Sequence, residues 1–171
     1  MLKYGKILKR IYDETNTYDP FEIARHFDTP VEYTDITDPP AKTVYLEDQP
    51  IILLSNKLRE SNARYYICGH ELGHIFKHTG IACSYDSNLH FRTGMEREAD
   101  QFSFELCNAF YNEENGYYPN EIKQLNYSYG VPENFHLSEM LVWKLSTCWT
   151  TIKAEIKRRD NYVRKKRRKS C

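Results

Sequence analysis

The run His70-Glu71-Leu72-Gly73-His74 constrains this chain more than any other feature of its 171 residues. Two histidines four positions apart act together only on a helix, where i and i+4 stand one above the other on one face. Both imidazoles then reach a single cation, each through a ring nitrogen. Glu71 falls about 100° around the helix from His70, beside the ion, where its carboxylate can take a proton from water at an open position. Two neutral nitrogen ligands, one base and an open position are the minimal set of a zinc hydrolase. The surrounding pattern predicts a helix over 61–79, with Tyr66, Ile67, Leu72, Ile75 and Phe76 at helical spacing and Gly80 as its stop. The plainer reading, an amphipathic helix carrying two satisfied histidines, loses ground because a third ligand is visible downstream.

That ligand lies in Met95-Glu96-Arg97-Glu98-Ala99-Asp100-Gln101-Phe102. Phe102, Leu106, Ala109 and Phe110 continue at helical spacing, which predicts a second long helix over 94–111 with an acidic first turn. Catalytic zinc sites keep three protein ligands and leave one position for water. Either Glu96 or Glu98 can supply the third. Glu96 is favoured, because Asp100 then follows one turn later on the same face, placed to hydrogen-bond the free ring nitrogen of a ligand histidine. Two plainer roles compete for these acids: complementing the helix dipole, and a capping box from Thr93 to Glu96.

With these residues in view, the chain resembles the ImmA/IrrE family of metallo-endopeptidases. HELGH followed by EREADQF carries the resemblance. The segment 19–27, DPFEIARHF, is similar to the family's N-terminal helix, and Val31–Tyr33, Lys42–Leu46 and Ile51–Ser55 look like its strands. The likeness covers about residues 5–145. It departs after EREADQFSFEL, where the family runs into a Leu-Met-Pro-like stretch and this chain reads Cys107-Asn108-Ala109-Phe110-Tyr111-Asn112. The resemblance implies a protein substrate, a helix-turn-helix repressor of a phage or mobile element, cleaved to induce gene expression. Two rivals are a non-catalytic antirepressor and a toxin–antitoxin partner that binds a repressor without cutting it. An intact Glu71 weighs against the antirepressor, since a pure binder has no use for a base.

The expected fold is α+β: a mostly helical single domain with a small β-sheet beside the HExxH helix. It is expected over 1–156, followed by a basic tail at 157–171. Leu2, Ile7, Leu8, Ile11 and Tyr12 give a first helix over 1–15 its apolar face, and Asp19 caps a second with Pro20 at its first position. Val44–Leu46 and Ile51–Ser55 read as a hairpin across 47–50, a sheet edge that an extended peptide could join. A turn is expected at 113–116, a short helix over Pro119–Tyr129 ending at Gly130, and a Ser138-capped terminal helix carrying Trp143 and Trp149.

Charge is split within the neutral total. Residues 157–169 hold nine Lys/Arg and one Asp, net +8, against 15 bases and 23 acids, net −8, in the remainder. Such a tail suits weak contact with nucleic acid or a DNA-bound substrate, or folding back on the acidic body, with a solubilising helix end slightly favoured over both. The five cysteines show no CxxC pairing and read as reduced thiols, with Cys107 and Cys148 in helix cores. With no secretory run at the start and no apolar stretch of about 20 residues, the expected location is cytoplasmic, with no membrane contact.

Other histidines carry less. His78 extends the i, i+4 series but lies about 12 Å along the helix from His70, so a solvated helix-end role is favoured. Tyr85 and His90 are candidates by position for stabilising an oxyanion. His26 and His136 carry no partner pattern. Nothing resembles a Walker loop or a GxSxG elbow.

Overall fold

A computed structural model describes residues 3–78 and 89–135. The expected terminal helix, Cys148 and the basic tail lie outside the described residues, as do Tyr85, Asp86 and His136. Among the described residues, Tyr4–Glu133 forms a compact unit by itself.

The sheet is small and organised by its middle strand. β1 (Val31–Thr34) runs parallel to β3 (Gln49–Ser55), and β2 (Ala41–Leu46) pairs antiparallel to β3, giving the order β1-β3-β2. Side chains alternate between faces along a strand. On β3, Ile52 and Leu54 are fully buried, and their partners across β2 are Thr43 and Ala41. The buried face of the sheet therefore carries Ala41, Thr43, Ile52 and Leu54, and Thr43 is the polar member of that set. The hairpin turn is tighter than expected. Gln49 and Pro50 already pair with Leu46 and Tyr45, so only Glu47 and Asp48 turn, both with positive φ (49° and 69°). Positive φ at both central residues is the geometry that matches the right-handed twist of a hairpin.

Two helices precede the sheet. α1 (Gly5–Thr15) buries Leu8 and Ile11, and α2 (Pro20–His26) starts as expected, with Asp19 Oδ1 accepting from the Phe21 N–H at 2.8 Å and Pro20 at its first position. The backbone N–H of Tyr4, just ahead of α1, donates to buried Glu105 Oε2 at 2.9 Å.

α3 (Ala63–His78) follows a short 3₁₀ turn at Asn56–Leu58, and Ser61 Oγ accepts from the Ala63 N–H at its start. Cys68, Leu72 and Ile75 face the sheet and join Ile52, Leu54, Ile23, Phe102 and Leu106 in one core. Truncating Leu72 or Phe102, both fully buried, to Ala would cost about 2–5 kcal/mol.

α4 differs from expectation. It runs Leu89–Asn115, longer than 94–111 at both ends. Thr93 stands inside it, so the capping box from Thr93 to Glu96 does not form, and no acid occupies its first turn. Glu113 and Glu114, expected in a turn, are helical, and Gly116 with φ 76° makes the turn instead. α5 (Ile122–Tyr129) starts later than expected, with a capping box between Glu121 and Gln124, and ends at Gly130 with φ 70°. A Cβ on Gly130 would meet Ala63 Cα at 2.3 Å, so this residue must be glycine for space as well as conformation. The fold is the expected mostly helical α+β arrangement, with a three-stranded sheet beside the HExxH helix.

Candidate metal centre

α3 and α4 touch through small residues. A Cβ on Gly73 would lie 3.0 Å from Ala99 Cα, and one on Gly69 would lie 2.8 Å from Ser103 Oγ. Gly69 and Gly73 are one turn apart, as are Ala99 and Ser103, so the two helices approach backbone to backbone along an antiparallel seam. Long side chains beside that seam must therefore interleave.

They do so as two stripes. Tyr66, His70 and His74 are spaced i, i+4, i+8 on α3, and Glu96 and Asp100 are spaced i, i+4 on α4. His74 Nε2 lies 3.0 Å from His70 Nε2. Glu96 Oε2 lies 3.2 Å from His70 Nε2 and 3.6 Å from His74 Nε2. The ligand atoms of these three residues all fall within 4.8 Å of one another. Glu98 is not in the cluster, and two positions from Glu96 it points about 200° away around the helix.

The donor set fits a cation. Ligand atoms around a tetrahedral zinc stand about 3.3 Å apart, and the observed separations bracket that spacing. Electrostatics agree. Burial alone would pull the His70 pKa down, yet hydrogen bonds to Asp100 and Glu96 outweigh it and push it up to about 9. Glu96 is held well below the usual carboxylate range by hydrogen bonds to His70 and His74. Such a cluster holds a positive charge, and a divalent ion can take the place of the proton.

Asp100 Oδ1 accepts from His70 Nδ1 at 2.9 Å, leaving Nε2 as the nitrogen that faces Glu96 and His74. The same oxygen accepts from the Tyr66 hydroxyl at 3.0 Å. Glu71 is buried, and its Oε2 accepts from Thr43 Oγ1 at 2.8 Å. It also contributes to the field that raises His70. His70, His74, Glu96 and Asp100 are thus brought to one place, with Glu71 acting on the His70 field and Glu98 outside the cluster. The contacts of Tyr66 and Thr43 were not foreseen. The i, i+4 stripe through Tyr66, His70 and His74 was the one local signal for Tyr66. Thr43 carried none beyond being polar in an otherwise apolar strand pattern.

The remaining candidates stay apart or fall elsewhere. His26 is exposed at the end of α2, its ring edge-on to Phe27 at 5.1 Å. The side chains of His78 and His90 lie outside the described structure. The stretch that departs from the family pattern is a packing segment: Cys107 and Asn108 are buried, and Phe110 stacks on Tyr129 at 5.1 Å. No helix among the described residues is long and apolar enough to cross a membrane.

No curated protein and no solved structure matched the chain. The family model described as the IrrE N-terminal-like domain, a peptidase family, matches residues 24–135. That span holds the sheet, both motif helices and every residue of the cluster, so the chain belongs to the ImmA/IrrE family of metallopeptidases.

Proposed function

We propose that this protein is a zinc-dependent endopeptidase in which His70, His74 and Glu96 ligate the metal, Glu71 is the general base and Asp100 orients His70. The observation that carries the reading is the convergence of two imidazole nitrogens from α3 and one carboxylate oxygen from α4 within 4.8 Å, with the buried Glu71 on the same helix as the histidines. A nitrogen-rich set of two histidines and one carboxylate suits zinc better than magnesium or calcium, which prefer all-oxygen shells. When bound, the cation supplies Lewis acidity toward the scissile carbonyl and toward water.

The chain's own groups supply the rest. Glu71 takes a proton from the attacking water onto a carboxylate oxygen and delivers it to the departing amine nitrogen. Thr43 keeps that carboxylate in place. Asp100 fixes the His70 tautomer, since a carboxylate accepting from Nδ1–H leaves the Nε2 lone pair for the ion.

Family membership supports a protein substrate, and the substrate proposed is a DNA-binding helix-turn-helix repressor of a phage or mobile element. The peptidase domain would span 1–156. The net +8 of residues 157–169 would speed encounter with a DNA-associated substrate through weak nucleic-acid contact, an effect screened over about 8 Å at physiological salt.

The deciding experiment is Glu71→Gln, with metal analysis beside a cleavage assay on a repressor encoded next to this gene. Full metal content with cleavage lost by several orders of magnitude supports the reading. A metallated Glu71→Gln protein that still cuts refutes the base. Metallated wild-type protein that binds the repressor without cutting it favours the antirepressor.

A further inference from the structure

We propose that Tyr66 is a positioning residue of the metal centre, acting on His70 through Asp100. The inference rests on the reading that the cation sits among His70, His74 and Glu96, and it adds a layer behind Asp100.

One oxygen carries the relay. Asp100 Oδ1 accepts from His70 Nδ1 at 2.9 Å and from the Tyr66 hydroxyl at 3.0 Å. The two donors come from successive turns of α3, so a single carboxylate oxygen on α4 bridges them. Asp100 needs such a clamp. Its side chain is 44% exposed, and the terminal torsion of an aspartate is broad, with little intrinsic preference. Water can compete for a carboxylate at that exposure and turn it away from His70. Tyr66 is only 7% exposed, so its ring is fixed by packing and its hydroxyl is delivered to one point.

The root of that side chain is anchored as well. The Tyr66 carbonyl accepts from Ser103 Oγ at 2.5 Å, and Ser103 is the residue that abuts Gly69. The hydroxyl therefore holds Asp100, Asp100 holds the His70 ring, and His70 Nε2 keeps its direction into the cluster. Without the hydroxyl the carboxylate would sample rotations that leave Nδ1–H to water, and the ring would lose its fixed orientation. A phenylalanine would fill the same core volume and lack this bond.

The test is a double-mutant cycle on the full chain, read as Zn²⁺ affinity by competition with a chromogenic chelator and as the visible spectrum of the Co²⁺-loaded protein. Tyr66→Phe is expected to weaken Zn²⁺ binding several-fold, up to about tenfold, less than loss of Asp100 itself. In an Asp100→Ala background the same substitution should cost nothing further, because the group through which it acts is gone. The proposal is overturned by Tyr66→Phe that binds Zn²⁺ as tightly as wild type, or by an equal loss with and without Asp100. It is equally overturned if Tyr66→Phe fails to fold without metal, because the residue then holds the helix pair rather than the carboxylate. Wild-type protein that binds no Zn²⁺ would remove the metal reading and this inference together, whereas tight wild-type binding with an unaffected Tyr66→Phe removes this inference alone.

Discussion

Thr43 Oγ1 donates a 2.8 Å hydrogen bond to Glu71 Oε2, tying a strand to the residue that follows His70. Thr43 sits opposite Ile52 on the buried face of the sheet, where an apolar side chain would be the default. Its hydroxyl instead satisfies a carboxylate that is 7% exposed. Thr43→Val keeps the branched shape and removes the donor, so Glu71 loses its partner. The expected cost is about 1–2 kcal/mol of stability, measured by denaturant unfolding, together with slower cleavage at unchanged metal content. Cleavage at the wild-type rate would show that Glu71 is held in place by other means.

The choice between the two acids of α4 is testable by metal analysis alone. Glu96→Ala should nearly empty the site, because among the described residues the only carboxylate oxygen in the cluster belongs to Glu96. Glu98→Ala should retain metal at wild-type stoichiometry. Asp100→Ala should bind 10–100-fold more weakly, the usual range for a residue that orients a ligand histidine. Metal lost from the Glu98 variant would contradict the arrangement of α4 described above.

Gly73 is expected to tolerate nothing larger. The nearest atoms to an added Cβ are the Ala99 Cα and carbonyl oxygen, at 3.0 Å and 3.2 Å, and backbone does not step aside as a flexible side chain does. Gly73→Ala should destabilise the fold by about 1–3 kcal/mol. It should also lower metal affinity, because pushing α4 outward separates Glu96 from both imidazoles. Thermal unfolding with and without Zn²⁺ distinguishes the two effects. A variant that loses stability but binds metal normally would mean that the helices shift along the seam rather than apart.

The thiols offer a test of packing that does not involve the site. Burial pushes the Cys68 thiol well up, and likewise that of Cys107, where hydrogen bonding with Ser103 offsets it only in part. Both should stay protonated and unreactive toward iodoacetamide at pH 8 in the native protein, and react on unfolding. Peptide mapping of the alkylated protein reads each cysteine separately. Rapid native labelling of Cys68 would show that α3 opens away from the sheet.

What could be read from the sequence, and what could not, divides by distance along the chain. His70, His74 and the pairing of Glu96 with Asp100 are i, i+4 relations, and helical periodicity alone places them. Asp19 with Pro20 is legible for the same reason: a cap and its helix are adjacent. The start of α4 was misplaced because Thr93-Gly94 before Glu96 looks like a cap, whereas in the fold the helix continues through Gly94 from Leu89. The two-residue turn at Glu47-Asp48 was hidden because neither residue is a glycine or asparagine and Pro50 seemed to belong to the loop. Thr43 with Glu71, Tyr66 with Asp100, and Gly73 with Ala99 join residues 28, 34 and 26 positions apart. No local pattern encodes those distances. The first follows from α3 lying against β2, and the other two from the glycine seam, whose significance appears only once α4 lies against it.

That seam also behaves as a vernier between the two helices. Sliding α4 by one turn would bring Met95 or Ser103 against Gly73 in place of Ala99. In the first case a long thioether would have to enter a gap in which a single methyl is already tight. In the second, Asp100 would stand where Glu96 now reaches the imidazoles, with a side chain one methylene shorter and Phe104, rather than a carboxylate, behind it. Neither neighbouring register offers both a ligand and its support. The smallest residues at the crossing thus fix which carboxylate meets the histidines.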